Sequence, residues 1–361
     1  MKLHLTILIS LFCLCASAQE IHDVKVLAQQ NMAAWGVRGA NYSGIAYLGD
    51  NRYALVSDKE PKDGFYPFTI LLDSVSGKVK EISPAPMVGV FANASDTTAI
   101  SGRDQEGIAY VPQTGTLIIS GEGDQRIIEH RTDGTMTGRA LKIPQKMGTQ
   151  AIYPNYGFEA LTYSAADGGL FWTVTEHTLK ADGRESDYYN PAACLLRLQS
   201  FSTSLKPARQ YAYRMDAPRV GKPSKAYAYG VTALTALDDG TLLVLEREFY
   251  VAPDYIGSWV RNKIYRVDPS AATPVTFKTD LATCDDSVFL PKTLIAEFKT
   301  SLNPISRSLA NYEGMCLGPV LPDGRHTLLL VSDSQNNYGN SIYKMKEYIR
   351  VITFLTGDSL K

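Results

Sequence analysis

The feature that most constrains the fold of this chain is a short pattern that occurs five times. Each copy begins with a polar residue, followed by a small and then an apolar one, a glycine-containing turn, and an apolar strand that stops at an acid. Two apolar strands joined by such a turn predict a β-hairpin. The copies begin at Ser43, Glu106, Glu159, Thr232 and Glu313, and the acids that end their second strands are Asp58, Glu122, Glu176, Glu246 and Asp333.

The spacing of the copies leaves room for one or two further strands after each hairpin, for example at 126–130 and 263–267. Repeated sheets of about four strands are typical of the blades of a β-propeller. We therefore predict an all-β fold in which residues 19–361 form a single propeller domain. Five copies predict five blades, and the long interval after Thr232 leaves room for a degenerate sixth around 275–277 and 294–298. The run 21–27 is expected to supply the missing outer strand and close the ring.

Residues 1–18 have the pattern of a secretory signal peptide, with Lys2 at the start, an apolar run, and small residues before Gln19. The apolar run is too short to cross a hydrocarbon core of about 30 Å, and no other segment approaches about 20 apolar residues. We predict cleavage between Ala18 and Gln19, export to the periplasm or the cell exterior, and no integral membrane segment.

The overall charge and the cysteines exclude several classes of function. With 36 Lys and Arg against 37 Asp and Glu, the chain carries no surplus of positive charge for a nucleic-acid backbone. The cysteines after the leader are Cys194, Cys284 and Cys316, which allow at most one internal disulfide and lack the spacing of a metal or redox site. Motifs for serine-triad, phosphate-loop and zinc-protease chemistry are also missing from the sequence.

The hairpins predict where the acids lie. In an antiparallel pair, the start of the first strand lies beside the end of the second. The residue that opens each repeat and the acid that closes it should therefore share one end of the blade. Closure of the ring would bring eight carboxylates to one mouth of the channel: Asp58, Glu106, Glu122, Glu159, Glu176, Glu246, Glu313 and Asp333.

So many like charges in a small space raise one another's pKa values or recruit cations. Oxygen ligands of this kind suit Ca²⁺, or Mg²⁺, better than Zn²⁺. We predict that the eight carboxylates bind Ca²⁺, with Mg²⁺ as the alternative. A structural role also stays open, in which Glu106, Glu159 and Glu313 accept hydrogen bonds from backbone N–H groups of the next blade.

Three basic residues lie close to these acids in the sequence. Arg103 precedes Glu106, Lys59 follows Asp58, and Arg247 lies within the run 246–248. Because such groups, and the forked guanidinium above all, match phosphate oxygens, we predict that they bind an anionic substrate. The alternative is that each is only an ion-pair partner of its acidic neighbours.

Three glutamate motifs and a late acidic motif resemble those of the phytase-like propeller family described as having esterase-like activity. The glutamate motifs are 104–109, 157–162 and 311–315, and the late motif is 331–337. The resemblance runs over roughly 42–354 and implies an exported, metal-dependent phosphoester hydrolase. It carries the family's glutamates onto Glu106, Glu159 and Glu313. The late motif departs from the family's pattern, because Asp333 is followed by Ser334 and Gln335 before the asparagine pair.

The leading interpretation is a calcium-dependent hydrolase of phosphate or other small esters, with Glu106, Glu159 and Glu313 as catalytic carboxylates and a small anionic ester as substrate. A metal-dependent lactonase is a variant of the same plan. The alternative from another class is a non-catalytic propeller that binds a glycan, a peptide or a partner protein around a structural metal. Tyrosine-rich stretches such as 227–229 would suit a stacking surface. The sequence leaves the oligomeric state open.

Overall fold

The computed structural model describes residues 20–90, 102–341 and 343–357. The predicted signal peptide lies outside the described residues. The strands, numbered in chain order, are β1 Glu20–Val26, β2 Gln30–Asn31, β3 Tyr42–Gly49, β4 Arg52–Ser57, β5 Asp63–Leu72, β6 Val79–Pro84, β7 Val88–Val90, β8 Gln105–Val111, β9 Thr116–Gly121, β10 Arg126–Arg131, β11 Met136–Ala140, β12 Phe158–Ser164, β13 Leu170–Thr175, β14 Leu195–Ser202, β15 Pro207–Arg214, β16 Ala226–Ala236, β17 Leu242–Val251, β18 Ser258–Val267, β19 Lys292–Leu302, β20 Asn311–Leu317, β21 His326–Asp333 and β22 Tyr348–Gly357. Short 3-10 helices cover Met32–Trp35, Gln145–Met147, Ala166–Gly168, Pro269–Ala271 and Asp286–Val288.

Strand pairing arranges the described residues into five sheets, which we call blades one to five. Blades one to four are β3 to β6, β8 to β11, β12 to β15 and β16 to β19, each in chain order, and blade five is β20, β21, β22 and β1. The inner strands β3, β8, β12, β16 and β20 contact one another in that order, and β20 contacts β3. The protein is therefore a five-bladed propeller, and the predicted fold class is confirmed. The described residues hold no sixth blade, because 275–277 lies in a loop and 294–298 belongs to β19, the outer strand of blade four.

The amino-terminal strand closes the ring, as predicted. Strand β1 pairs antiparallel with β22, so that Glu20 lies opposite Gly357 and Val26 opposite Ile352. Blade five is thus built from both ends of the described chain. Each of the other blades is a single local stretch.

The apolar core is divided into wedges between neighbouring blades. Trp172 of blade three packs in one cluster with Val231 of blade four. Another cluster joins Leu55 of blade one to Val331 of blade five. Burial of apolar area of this kind is what holds each blade against the next.

In three of the five repeats, the small residue is a glycine that lies where neighbouring inner strands come close together. A Cβ atom on Gly44 would lie 2.3 Å from the carbonyl oxygen of Glu106, and one on Gly107 would lie 2.5 Å from that of Glu159. A Cβ atom on Gly314 would lie 3.1 Å from the backbone of Gly44, where the last blade meets the first. Each glycine therefore lets one inner strand pack against the next, which explains why a small residue follows the opening residue.

Replacing Gly107 by Ala is expected to lower the free energy of unfolding by about 1–3 kcal/mol, because the added carbon meets backbone that cannot rotate away. The control is Gly221→Ala, since Gly221 has no heavy atom within 4 Å of its Cβ position. Chemical denaturation measures both. Equal stability of the two variants would contradict the close-approach argument.

Two other features of the described residues bear on the sequence predictions. The longest helix has four residues, far fewer than a membrane crossing requires. Cys194, Cys284 and Cys316 are free thiols, and Cys194 and Cys316 are buried.

Candidate functional site

The residue that opens each repeat lies in a β-bulge of the inner strand. The pairing register of each inner hairpin shifts at this residue, as between Tyr42 and Gly44 and between Phe158 and Ala160. A bulge interrupts the ladder and turns the extra side chain out of the sheet. The five bulges contain Ser43, Glu106, Glu159, Thr232 and Glu313.

The second strand contributes one more residue at the same level. Ser57 pairs with Tyr42 and Thr175 with Phe158, and the next residues are Asp58 and Glu176. Counted in the same way, the second-strand residues are Asp58, Glu122, Glu176, Arg247 and Asp333. We call these five and the five opening residues the rim.

The predicted place of Glu246 at the mouth is wrong. Glu246 pairs with Val231 just before the bulge, so that Arg247, and not Glu246, is the fourth-blade counterpart of the other strand-ending acids. Successive side chains of a strand point to opposite faces, and Glu246 points between blades three and four. There its carboxylate accepts hydrogen bonds from Tyr213 Oη at 2.6 Å and from Lys292 Nζ at 2.6 Å.

A cavity of about 310 Å³ opens at the rim. It brings together six of the eight predicted carboxylates: Asp58, Glu106, Glu122, Glu159, Glu176 and Glu313. Lys59 and Arg247 also line it, as do Asp104, Asn155, Asn311, Gln335 and the blade-four residues Ala226, Tyr227, Ala228 and Phe249. We call this space the acidic cavity. Asp333 is fully buried outside its lining, where its Oδ1 accepts a hydrogen bond from the backbone N–H of Gln335 at 2.7 Å.

Two groups of carboxylates within the acidic cavity are close enough to share a cation. One group is Asp58, Asp104 and Glu106, and the other is Glu106, Glu122 and Glu159. Within each group, one oxygen from every residue lies within 4.8 Å of the others. Oδ1 of Asp58 is buried and has no hydrogen-bond partner among the described residues. An oxygen-only donor set with an unsatisfied buried oxygen fits Ca²⁺ or Mg²⁺.

Burial and mutual repulsion favour the protonated forms of these acids. Burial, followed by the charges of Glu159 and Glu122, holds the pKa of Glu106 well above its ordinary value. Burial and the neighbouring Glu176 raise the pKa of Glu122 to about 7, against a hydrogen bond from the Gly157 N–H. Burial raises the pKa of Glu313 to about 8 although Arg247 lowers it. A bound cation would supply the positive charge needed to keep these carboxylates ionised together.

Arg247 is the one cation among the ten rim positions. Its guanidinium forms ion pairs with Glu176 and, at 3.4 Å, with Glu313, and it donates to Asn311 Oδ1 at 2.9 Å. Its Nε is buried and has no hydrogen-bond partner among the described residues. One donor of this side chain is therefore not used by the described part of the protein.

Comparison with known proteins assigns the chain to a family. The model described as phytase-like, esterase-like activity of phytase, matches residues 38–338. The chain belongs to the phytase-like family. Among curated proteins, none has a sequence that matches the chain.

Solved structures overlap with this phytase-like chain only loosely. A streptogramin B lyase structure is 12% identical, with a TM-score of 0.34 over 92% of this chain and 98% of that chain. Virginiamycin B lyase from Staphylococcus aureus is 12% identical, with a TM-score of 0.35 over 92% and 99%. Luciferin-regenerating enzyme is 11% identical, with a TM-score of 0.41 over 92% and 97%. Overlaps of this kind carry no argument about chemistry.

The basic residues predicted to bind substrate are divided between two places. Lys59 lines the acidic cavity of this phytase-like propeller, half exposed, with its Nζ 2.6 Å from Asp58 and 3.1 Å from Asp104. Arg103 does not line the cavity, which corrects its predicted position. Its buried guanidinium lies 2.9 Å from carboxylate oxygens of Asp63 and Asp124.

The alternative role of the opening glutamates was to accept hydrogen bonds from backbone N–H groups of the next blade. In the structure, other residues make contacts of this kind. The carboxylates of Glu106 and Glu159 have no hydrogen-bond partner in the described part of the chain, and that of Glu313 accepts from the Asn311 side chain at 2.6 Å and not from a backbone N–H. Glu122 instead accepts a hydrogen bond from the Gly157 N–H at 2.9 Å. Where the opening residue carries a hydroxyl, it also contacts the next blade, but as a donor to a backbone carbonyl. Ser43 donates to the Gln105 carbonyl at 2.7 Å and Thr232 to that of Tyr312 at 3.2 Å.

Sequence reasoning missed several residues of the acidic cavity. Asp104 lies two residues before the second repeat and has a positive φ of 55°, which holds it at the rim outside the strand. Its position beside Glu106 was the available signal. Tyr227 belongs to the tyrosine-rich stretch 227–229 that the sequence offered as a stacking surface, but Phe249 gave no signal, and only the observed lengths of β16 and β17 place the two residues above the rim.

The metal-free protein is expected to melt at a lower temperature at about pH 8.5 than at about pH 5.5. Glu122 and Glu313 have raised pKa values, about 7 and about 8 against an ordinary 4.5. Because the folded state favours the protonated forms, these groups contribute fully to stability below their ordinary pKa of 4.5, and the contribution is lost as the pH rises through 7 to 8. Thermal melts in the presence of a chelator measure it. A melting temperature that is flat across this window would contradict the repulsion.

Proposed function

We propose that the protein is an exported, Ca²⁺-dependent hydrolase of phosphate or other small esters. The observation that carries the proposal is the pair of carboxylate groups that share Glu106, in a cavity that also contains Lys59 and Arg247. Such a cavity offers one region to a cation and another to an anion. The family description, esterase-like activity, supports the same reaction class.

The proposed roles follow from the contacts of each side chain. Asp58, Asp104 and Glu106, the first of the two groups, would hold a cation, which would supply charge neutralisation at the ester and a more acidic water. Arg247 and Lys59 would bind the ester's anionic group. Glu176 and Glu313 hold the Arg247 guanidinium in place through their ion pairs.

Glu159 is the best candidate for the proton acceptor. It lines the cavity, and burial followed by the charges of Glu176 and Glu122 holds its pKa well above its ordinary value. No hydrogen bond among the described residues occupies its carboxylate. A buried carboxylate with a raised pKa can take a proton from an attacking water near neutral pH.

The test is hydrolysis by the purified protein of a panel of phosphate monoesters, carboxylic esters and lactones, with Ca²⁺, with Mg²⁺ and with a chelator. We expect turnover of at least one phosphate or carboxylic ester with Ca²⁺ and none with the chelator. Turnover of lactones alone would select the lactonase variant. The absence of turnover on the whole panel would overturn the hydrolase and favour the binding module.

Calcium is also expected to raise the melting temperature at about pH 8.5 and to flatten its pH dependence. A ligand that binds only the folded state stabilises it by mass action, and a cation would cancel the repulsion among the carboxylates. Calorimetry with and without Ca²⁺ measures both effects. An unchanged melting temperature over a wide Ca²⁺ titration would count against a cation site at the rim.

A further inference from the structure

A second cavity lies on the outer part of blade three and shares no lining residue with the acidic cavity. Its volume is about 480 Å³, within the range of roughly 300–1,000 Å³ that is usual for small-molecule sites. Three long connections form its walls: 141–157 between β11 and β12, 176–194 between β13 and β14, and 268–291 between β18 and β19. We call it the flank cavity.

The third wall comes from blade four but is fixed to blade three. The connection between β18 and β19 crosses the outermost strand of blade three, where the Val275 N–H donates to the Gln210 carbonyl at 2.7 Å. Further along, the Leu290 N–H donates to the Ala212 carbonyl at 2.8 Å. The region 275–277, where the sequence left room for a sixth blade, is therefore a fixed cover on blade three.

Arg197 of strand β14 holds two of the walls in place. Its buried guanidinium pairs with both carboxylate oxygens of Asp182, at 2.6 Å and 2.7 Å. It also donates to the backbone carbonyls of Thr276 at 2.9 Å and Thr279 at 2.8 Å. These contacts fix the shape of the cavity. The guanidinium and the Asp182 carboxylate neutralise each other, so neither charge is available to a ligand.

Three lysines, one from each wall, supply the charge that is available. Lys146, Lys180 and Lys278 are exposed and line the cavity. None of the three ammonium groups has an ion-pair partner in the part of the chain that the structure describes. Asp280 is the one acid of the described lining that Arg197 does not neutralise. Because the whole chain has a formal charge of -1, this positive surplus is local to the flank cavity.

The flank cavity also has an apolar surface. Ala151, Leu179 and Phe277 contribute apolar side chains from the three walls. The centroid of the Phe277 ring lies 5.3 Å from Arg197 Cζ and 5.8 Å from Lys146 Nζ. The attraction between a cation and the ring face keeps the Lys146 ammonium group beside the apolar surface. An apolar surface beside unpaired ammonium groups suits a ligand with an apolar body and a negative charge.

We propose that the flank cavity binds a small aromatic carboxylate. The aromatic body would pack against Phe277 and Leu179, and the carboxylate would lie among the three ammonium groups. An inorganic anion would leave the apolar surface in water, and an uncharged aromatic molecule would leave the lysines unpaired. The acidic cavity, which is lined by seven carboxylates, would repel the same ligand. The inference does not depend on the proposed ester hydrolysis.

The first test compares 2-naphthoate with 2-naphthamide, which has nearly the same shape and no charge. Isothermal titration calorimetry measures binding of each to the unaltered protein, without Ca²⁺ and without any ester. At about 20 mM salt we expect naphthoate to bind about tenfold more tightly than naphthamide, and the preference to shrink at about 300 mM salt, where exposed charges are screened. An equal concentration of inorganic sulfate should leave naphthoate bound. Absence of naphthoate binding, equal affinity for the amide, or displacement by sulfate would overturn the inference.

Lysine variants test whether naphthoate binds in the flank cavity. Lys146→Gln, Lys180→Gln and Lys278→Gln are each expected to weaken naphthoate binding about two- to fivefold and to leave naphthamide binding within about twofold. The matched control is Lys206→Gln, since Lys206 is exposed on the turn between β14 and β15 of the same blade and does not line the cavity. Naphthoate binding that survives all three substitutions, or that the control weakens equally, would overturn the inference.

A substitution of Phe277 tests the apolar contact separately from the charge. Phe277→Ala is expected to weaken the binding of naphthoate and of naphthamide by about tenfold each, because both lose the same apolar contact. The preference for naphthoate over naphthamide should remain. Thermal melts check that this variant and the lysine variants are folded. Unchanged affinities in a folded Phe277→Ala protein would contradict the proposed position of the aromatic body.

Discussion

Replacing Glu159 by Gln is expected to reduce ester hydrolysis by about 100-fold or more, the range that a general base contributes. The substitution keeps the shape of the side chain and removes the group that would accept the proton. Steady-state kinetics with Ca²⁺ and a thermal melt on the same preparation measure the effect. Retention of full activity would remove Glu159 from the mechanism.

The melt of this variant also separates chemistry from a structural role. Because the folded protein holds the pKa of Glu159 well above its ordinary value, loss of its carboxylate should raise the metal-free melting temperature at about pH 8.5. If the Glu159 carboxylate instead had a structural role as a hydrogen-bond acceptor, its loss would lower this melting temperature. The matched control is Glu129→Gln, since Glu129 is equally buried but lies outside the cavity, where Thr137 Oγ1 donates to it at 2.7 Å. The Glu129 variant should keep its activity.

Replacing Arg103 by Met is expected to lower the free energy of unfolding by about 3–5 kcal/mol, which is the usual effect of removing one partner from a buried ion pair. The guanidinium is buried between blades one and two and lies 2.9 Å from both Asp63 and Asp124. Burial alone would raise the pKa of Asp63, but the nearby His130, whose Nε2 lies 3.2 Å from Asp63 Oδ1, and the charge of Arg103 lower it to about 2. Without Arg103, two carboxylates would lose their cation. Denaturant unfolding measures the effect.

The control for this variant is Arg126→Met, because Arg126 is exposed and contributes its backbone carbonyl, not its side chain, to the Arg103 contact. We expect this control to unfold within about 0.5 kcal/mol of the wild type. A stable Arg103→Met protein with a raised KM would restore the anion-binding role predicted from sequence.

The fold could be predicted because the repeat is local. Each hairpin is encoded by contiguous residues, and the glycines that follow Ser43, Glu106 and Glu313 recur because neighbouring inner strands pack closely there. The level of a side chain along a strand was harder to predict. In the other four repeats, the second strand ends at the rim, but β17 continues to Val251. In blade four, the end of the second strand therefore could not be used to identify the rim residue. The prediction therefore chose Glu246 instead of Arg247.

The ion-pair partners of Arg103 could not be predicted from sequence, unlike Asp58, which is the sequence neighbour of Lys59 and its partner. Arg103 is adjacent to the motif that begins at Asp104, and proximity along the chain favoured a shared site. Its carboxylate partners Asp63 and Asp124 come from two different blades. Such contacts depend on how blades pack, and no local pattern in the sequence records them.

The pairing of β1 with β22 has a consequence for the order in which this protein acquires its structure. Blades one to four need only nearby segments, so they can form in turn as the chain becomes available. Blade five needs two segments that are more than 320 residues apart, Glu20–Val26 and Tyr348–Gly357. Closing so long a loop is costly in entropy and slow. We expect the acidic cavity to be complete only once blade five has packed against blade four, because Glu313 of blade five pairs with Arg247 of blade four.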